Sequence, residues 1–147
     1  MYQLVPKKKK NIFVKILVFL VACAVIKELT VVLFGPAPVS KQLDDFANSI
    51  NKRCPLVVDS TTTLNNCTAG SGNRLYFNYQ VNSVNKEDVD TVSLIVNCRE
   101  EMINKMKTDP GLTAFKKYDV SISAKYYDKT GKYICSVDVL PNDLKEK

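Results

Sequence analysis

A run of 23 mostly apolar residues, Ile12 to Phe34, follows close behind four consecutive lysines, Lys7 to Lys10, and no other feature restricts this chain more. At about 1.5 Å rise per residue, a helix over that run reaches across the hydrocarbon core of a bilayer. Lys27 and Glu28 interrupt it near its far end, where snorkelling or mutual pairing lowers a cost of about 2.5–3.5 kcal/mol per central charge. Gly35-Pro36-Ala37-Pro38 then stops the helix. With the basic residues kept inside, four segments follow. These are a basic cytoplasmic segment (1–11), a transmembrane signal-anchor (12–34), a linker (35–42) and an extracytoplasmic domain (43–147). The predicted location is a bacterial inner membrane, crossed once, with the amino terminus in the cytoplasm.

The charge distribution argues against nucleic acid as a partner. The net charge is +6, but the first 40 residues hold six lysines against one glutamate, and residues 41–147 hold 15 basic and 14 acidic groups. A nucleic-acid binder carries its positive charge on the folded face that meets phosphate. Two processed forms compete with the anchor. Leu20-Val21-Ala22-Cys23 matches the pattern at which bacterial lipoproteins are cleaved and acylated, making Cys23 a lipidation site, and Ala22-Cys23-Ala24 fits a signal peptidase site. All three readings export residues 41–147.

The exported part reads as α+β. Leu43, Phe46, Ala47 and Ile50 make one helical stripe, with Ser40 as the expected N-cap. A strand is expected near Thr61 to Thr68, then a turn at Gly70-Ser71-Gly72-Asn73. Leu75, Phe77, Tyr79 and Val81 alternate with Tyr76, Asn78 and Gln80 in a half-buried strand. A second helix runs from about Asp88 to Lys107, its apolar side supplied by Val92, Ile95, Val96, Met102, Ile103 and Met106. Asp109-Pro110-Gly111 breaks the chain, and a short helical turn is expected over Leu112 to Lys116. Val120, Ile122, Ala124 and Tyr126 alternate on a third strand, and Tyr133, Cys135, Val137 and Val139 on a fourth. The expected fold class is an N-terminal transmembrane helix followed by an αββαββ two-layer domain with a four-stranded antiparallel sheet.

Four cysteines, Cys54, Cys67, Cys98 and Cys135, fall in the exported part and allow three pairings. Cys54–Cys67, closing a short loop, and Cys98–Cys135, tying the second helix to the last strand, are the preferred disulfides; buried thiols are the alternative. There is no His, which removes imidazole catalysis and His-containing zinc sites. No C-x-x-C, G-x-G-x-x-G, P-loop or H-E-x-x-H is present. No catalytic, metal or cofactor residue is therefore expected, and Asp88, Asp90, Glu100 and Glu101 read as the solvated face of a helix. Tyr76, Tyr118, Tyr126, Tyr127 and Tyr133 are the residues best suited to an interface, since tyrosine offers area and a hydroxyl at low entropic cost.

Asn51-Lys52-Arg53-Cys54-Pro55 with Val58-Asp59, Thr62-Thr63-Leu64 and Asn73 through Tyr79 resembles the first half of a family of small uncharacterised bacterial exported proteins. Ile103-Asn104-Lys105, Asp109-Pro110 and Val120 through Tyr133, with its Tyr127-Asp128-Lys129-Thr130-Gly131 turn, is similar to the second half. The resemblance covers about residues 43–140 and implies a membrane segment and an extracytoplasmic domain. It brings no activity or site.

Together these features predict a non-enzymatic binding or scaffold module with an envelope protein as partner. The alternatives are an envelope inhibitor or exclusion lipoprotein acylated at Cys23 and, last, a small carboxylate-dependent hydrolase.

Overall fold

The computed structural model describes residues 37–145. Among them no helix is long and apolar enough to cross a membrane. The span expected over 12–34, and Cys23 within it, lie outside the described residues.

Helix α1 (Val39–Asn51) begins one residue ahead of Ser40, with Pro38 at the cap position. It buries the expected Leu43, Phe46, Ala47 and Ile50. Gln42 is buried too, and its Nε2 donates to the Ala37 carbonyl. A cis Cys54–Pro55 bond follows, then strands β1 (Leu56–Val57), β2 (Thr62–Gly70) and β3 (Arg74–Val81). Helix α2 (Thr91–Thr108) is capped by Asp90, whose Oδ1 accepts from the Ser93 N–H at 3.3 Å. A short helix α3 (Thr113–Lys117) leads into β4 (Ser121–Tyr127) and β5 (Tyr133–Val139).

The sheet corrects the expected fold class. It has five strands in the order β1-β2-β3-β4-β5, and β3 and β4 run parallel while the other neighbours are antiparallel. The crossover is the reason. After Val81 the chain travels over one face of the sheet through α2, and α3 brings it back to the end where β3 began, so Ser121 pairs with Arg74. Two strands joined by such a helical crossover run the same way. The extra strand, β1, is two residues long, too short to show a period.

Helices α1 and α2 lie on the same face of the sheet, α1 chiefly against β2 and α2 against β5. Phe77 stacks on Tyr79, and Tyr79 on Tyr126 at 5.5 Å between centroids. Phe46 of α1 meets Phe115 of α3 edge to face at 5.8 Å, closing one end of the core.

Two further expectations are corrected. On α2 the buried stripe is Leu94, Cys98, Met102 and Met106, whereas Val92 and Val96 are 71% and 50% exposed. Only the first stripe stays apolar along the whole helix; continuing the second meets Glu100 and Asn104. On β5, Tyr126 pairs with Cys135 but Tyr127 pairs with Tyr133, so Ile134 is the extra residue of a bulge. Ile134 is buried and Tyr133 turns outward.

Candidate functional site

Among the described residues the helices cover one face of the sheet and none covers the other, although Ser121 and Ser123 of β4 are buried there. Register aligns that open face into transverse rows: Thr68, Tyr76, Ser123 and Asp138; Asn66, Asn78, Lys125 and Ser136; Thr63, Gln80, Tyr127 and Tyr133. The alternation that buries Phe77 and Tyr79 necessarily turns Tyr76, Asn78 and Gln80 outward.

The face is largely self-satisfied. Asn78 Nδ2 donates to Asn66 Oδ1 at 2.6 Å, Asn65 Nδ2 to Gln80 Oε1 at 3.3 Å, and Asn82 Nδ2 to the Thr63 hydroxyl at 3.0 Å. The Lys125 ammonium sits 4.8 Å from the centre of the Tyr76 ring. That ring lies against Gly70, where an added Cβ would come within 2.7 Å of it, so a glycine makes room for the aromatic. Tyr127 and Tyr133 meet edge to face at 5.8 Å. Arg74 and Asp138 stand 4.0 Å apart at the β5 side.

Of the five tyrosines singled out from the sequence, Tyr76, Tyr127 and Tyr133 share this face. Tyr126 belongs to the core. Tyr118 lies beside the β2–β3 turn, where its carbonyl accepts from Asn73 Nδ2 at 3.2 Å. Asn66 and Lys125 are face residues that sequence reasoning missed, although the same alternation places them there.

Of the carboxylates considered for catalysis, Asp88 and Asp90 hold local structure. Asp90 caps α2, Asp88 accepts from Asn85 at 3.1 Å, and Glu100 is exposed. Asp128, fully buried, binds its own turn. Its Oδ1 accepts from the Thr130 N–H and hydroxyl and the Lys132 N–H at 2.7–3.0 Å, and its Oδ2 from the Lys86 N–H at 3.0 Å. Burial pushes its pKa up, but these hydrogen bonds outweigh it and hold the carboxyl well below its ordinary range. Among the described residues no three His, Cys, Asp or Glu side chains are grouped to hold a metal ion.

Cys54, Cys67, Cys98 and Cys135 carry thiols in this structure, so the expected bridges are not formed in it. Within each expected pair the thiols are near enough to interact electrostatically. Burial, and then the neighbouring Cys54, push the Cys67 thiol up to about 12. Burial, and then Cys98, push Cys135 up to about 11. Cys54 is half-buried and raised by that burial, against a hydrogen bond to the backbone of Leu56.

No protein-family model matches the chain, and no curated protein matches it. Solved structures do. A Pseudomonas aeruginosa protein described as secreted superposes with a TM-score of 0.56 at 13% identity, over 76% of this chain and 100% of its own. The pilotin of the Vibrio vulnificus type 2 secretion system gives 0.58 at 12% identity, over 74% of this chain and 94% of its own. The type II secretion system pilotin of Vibrio cholerae gives 0.53 at 11% identity, over 83% and 98%. At such identity the likeness establishes the fold alone. The expected placement as a single-pass inner-membrane protein is corrected here. No described helix can cross a membrane, and the chains of like fold are a secreted protein and secretion-system pilotins.

Proposed function

We propose that this chain is an exported, non-enzymatic binding module of the bacterial envelope, held at a membrane by a lipid on Cys23, with an envelope protein as its partner. The observation that carries the reading is the uncovered sheet face. Its amides are paired with one another, and it shows Tyr76, Tyr127 and Tyr133 beside Lys125 and Arg74. Tyrosine and arginine are enriched among the residues that anchor protein interfaces, and tyrosine adds contact area and a hydroxyl at little entropic cost. The fold shared with two secretion-system pilotins supports an envelope setting. Leu20-Val21-Ala22-Cys23 supplies the sequence for acylation.

The test uses the full chain in a bacterial host. A photo-crosslinking amino acid replaces Tyr76, Tyr127 or Tyr133 in turn, with Lys41 on α1 as the control position. One protein adduct of discrete mass from the three face positions, and none from position 41, is expected; equal adducts from all four positions reject the face. Labelled fatty acid should enter the chain and be lost in Cys23→Ser. Retention of the label in that variant rejects the lipid anchor.

A further inference from the structure

Two cysteine pairs stand on opposite sides of the core, and they differ in access. Asn51 ties the first pair together. Its side chain accepts from the Cys67 N–H and donates to the Cys67 carbonyl, both at 2.7 Å, while its own carbonyl accepts from the Cys54 N–H at 3.1 Å. Two residues after Cys54, Leu56 is already paired with Leu64, so the loop between the two thiols is closed by backbone pairing. Cys54 is partly open to solvent, whereas Cys67 is fully buried. The second pair is sealed. Cys98 lies in the buried stripe of α2, which packs on β5, and Cys135 lies on β5 opposite Tyr126. Cys98, Tyr126 and Ile134 line one small apolar cavity. Cys98 and Cys135 are 3% and 4% exposed.

We propose that Cys54–Cys67 and Cys98–Cys135 are two oxidation sites of unequal accessibility, the first open to thiol–disulfide exchange in the folded domain and the second only before α2 docks. Where this happens in the cell rests on the export proposed above; the difference in access does not. The oxidant is an external disulfide, of a protein or of glutathione. At the first site the Cys54 thiolate attacks one sulfur of that disulfide, forming a mixed disulfide and releasing one thiol. Cys67 then gives up its proton and attacks Cys54 Sγ, releasing the second. The pair loses two protons and two electrons, and the external disulfide gains both as two thiols. Cys54 makes the first attack because an incoming disulfide cannot reach Cys67. At the second site neither sulfur can be reached, so its oxidation precedes helix docking and its reduction requires undocking.

The full chain, purified and fully reduced, is refolded and then given glutathione disulfide at neutral pH. Remaining thiols are alkylated in denaturant and mapped by peptide mass. The expected product links Cys54 to Cys67 and leaves Cys98 and Cys135 alkylated; adding the oxidant during refolding instead should also link Cys98 to Cys135. Any other pairing, or equal oxidation of both sites in the folded chain, overturns the inference. A second sample is acid-trapped and alkylated directly from cells. No label on these four cysteines before reduction supports both the pairs and the export. Label on all four there, with the expected pattern in the purified chain, overturns the export reading and leaves the access difference standing.

Discussion

Asn51 and Cys67 are joined by two hydrogen bonds of 2.7 Å, side-chain amide to backbone N–H and C=O, across the gap between α1 and β2. One carboxamide thus completes the backbone pairing of a strand interior that a bulge at Asn65 has just disturbed. Asn51→Ala leaves a donor and an acceptor in a part-buried position unpaired, a loss expected to cost about 2–3 kcal/mol. Asn51→Asp keeps the bond from the Cys67 N–H but sets a carboxylate oxygen against the Cys67 carbonyl, so it should not rescue. Urea unfolding of the reduced chain measures both. An Asn51→Ala variant within about 0.5 kcal/mol of the parent, the range of an ordinary surface substitution, would show that the clamp is incidental.

Asp128 makes the fold sensitive to acid. Its carboxyl is held below the ordinary value of 3.8 by the Thr130, Lys86 and Lys132 hydrogen bonds, against the upward push of burial. A depressed folded-state pKa contributes stability that is fully present above the unfolded value and is lost as pH falls through the folded one. The parent should therefore be steady in this respect above about pH 5 and weaken progressively below about pH 4. Asp128→Asn is less stable than the parent at neutral pH, because an amide N–H₂ must face the Lys86 N–H. The gap should narrow as pH falls from 5 to about 2.5, since over that range only the parent's unfolded chain takes up a proton at this position. Unfolding midpoints at three pH values decide it, and a constant gap would remove Asp128 as the cause.

The two apolar stripes of α2 make opposite predictions. Met102 is fully buried, so Met102→Ala should cost about 2–5 kcal/mol through lost burial and the cavity left behind. Val96 is half-exposed, and Val96→Ala should be neutral or mildly stabilising, since alanine is the better helix former by up to about 0.7 kcal/mol. Thermal unfolding of the two variants checks the helix orientation directly. Similar losses at both positions would mean that Val96 is covered.

Much of the fold was legible from the chain because each apolar face has a simple period. The stripe from Leu43 to Ile50 and the alternations at Leu75–Val81 and Val120–Tyr126 fix their own buried sides. The β2–β3 turn was equally plain, since Gly72 and Asn73 both take positive φ. What stayed hidden depends on relations between elements. The parallel pairing of β3 with β4 follows from where α3 returns the chain, which no local pattern records. The choice between stripes on α2 depends on which one the sheet meets. The open face was half visible: Tyr76, Asn78 and Gln80 follow from alternation, but their alignment with Lys125 and Tyr127 needs the register.

The β5 bulge is the clearest case of a local rule failing, and it can be tested by reversing the roles of two adjacent residues. Strict alternation from Cys135 puts Tyr133 inside and Ile134 outside. The bulge opposite Tyr126 and Tyr127 does the reverse, with Ile134 buried and Tyr133 46% exposed against the edge of Tyr127. Ile134→Ala should then cost about 2–4 kcal/mol, as a buried aliphatic truncation. Tyr133→Ala loses chiefly one aromatic pair, about 0.5–1.5 kcal/mol. Deleting Ile134 removes the bulge and sets Tyr133 directly before Cys135, still outward and opposite Tyr127, so the deletion should cost about as much as Ile134→Ala. Denaturant unfolding of the three variants gives the order. If Tyr133→Ala proved the more damaging substitution, strict alternation would hold and the bulge would be wrong.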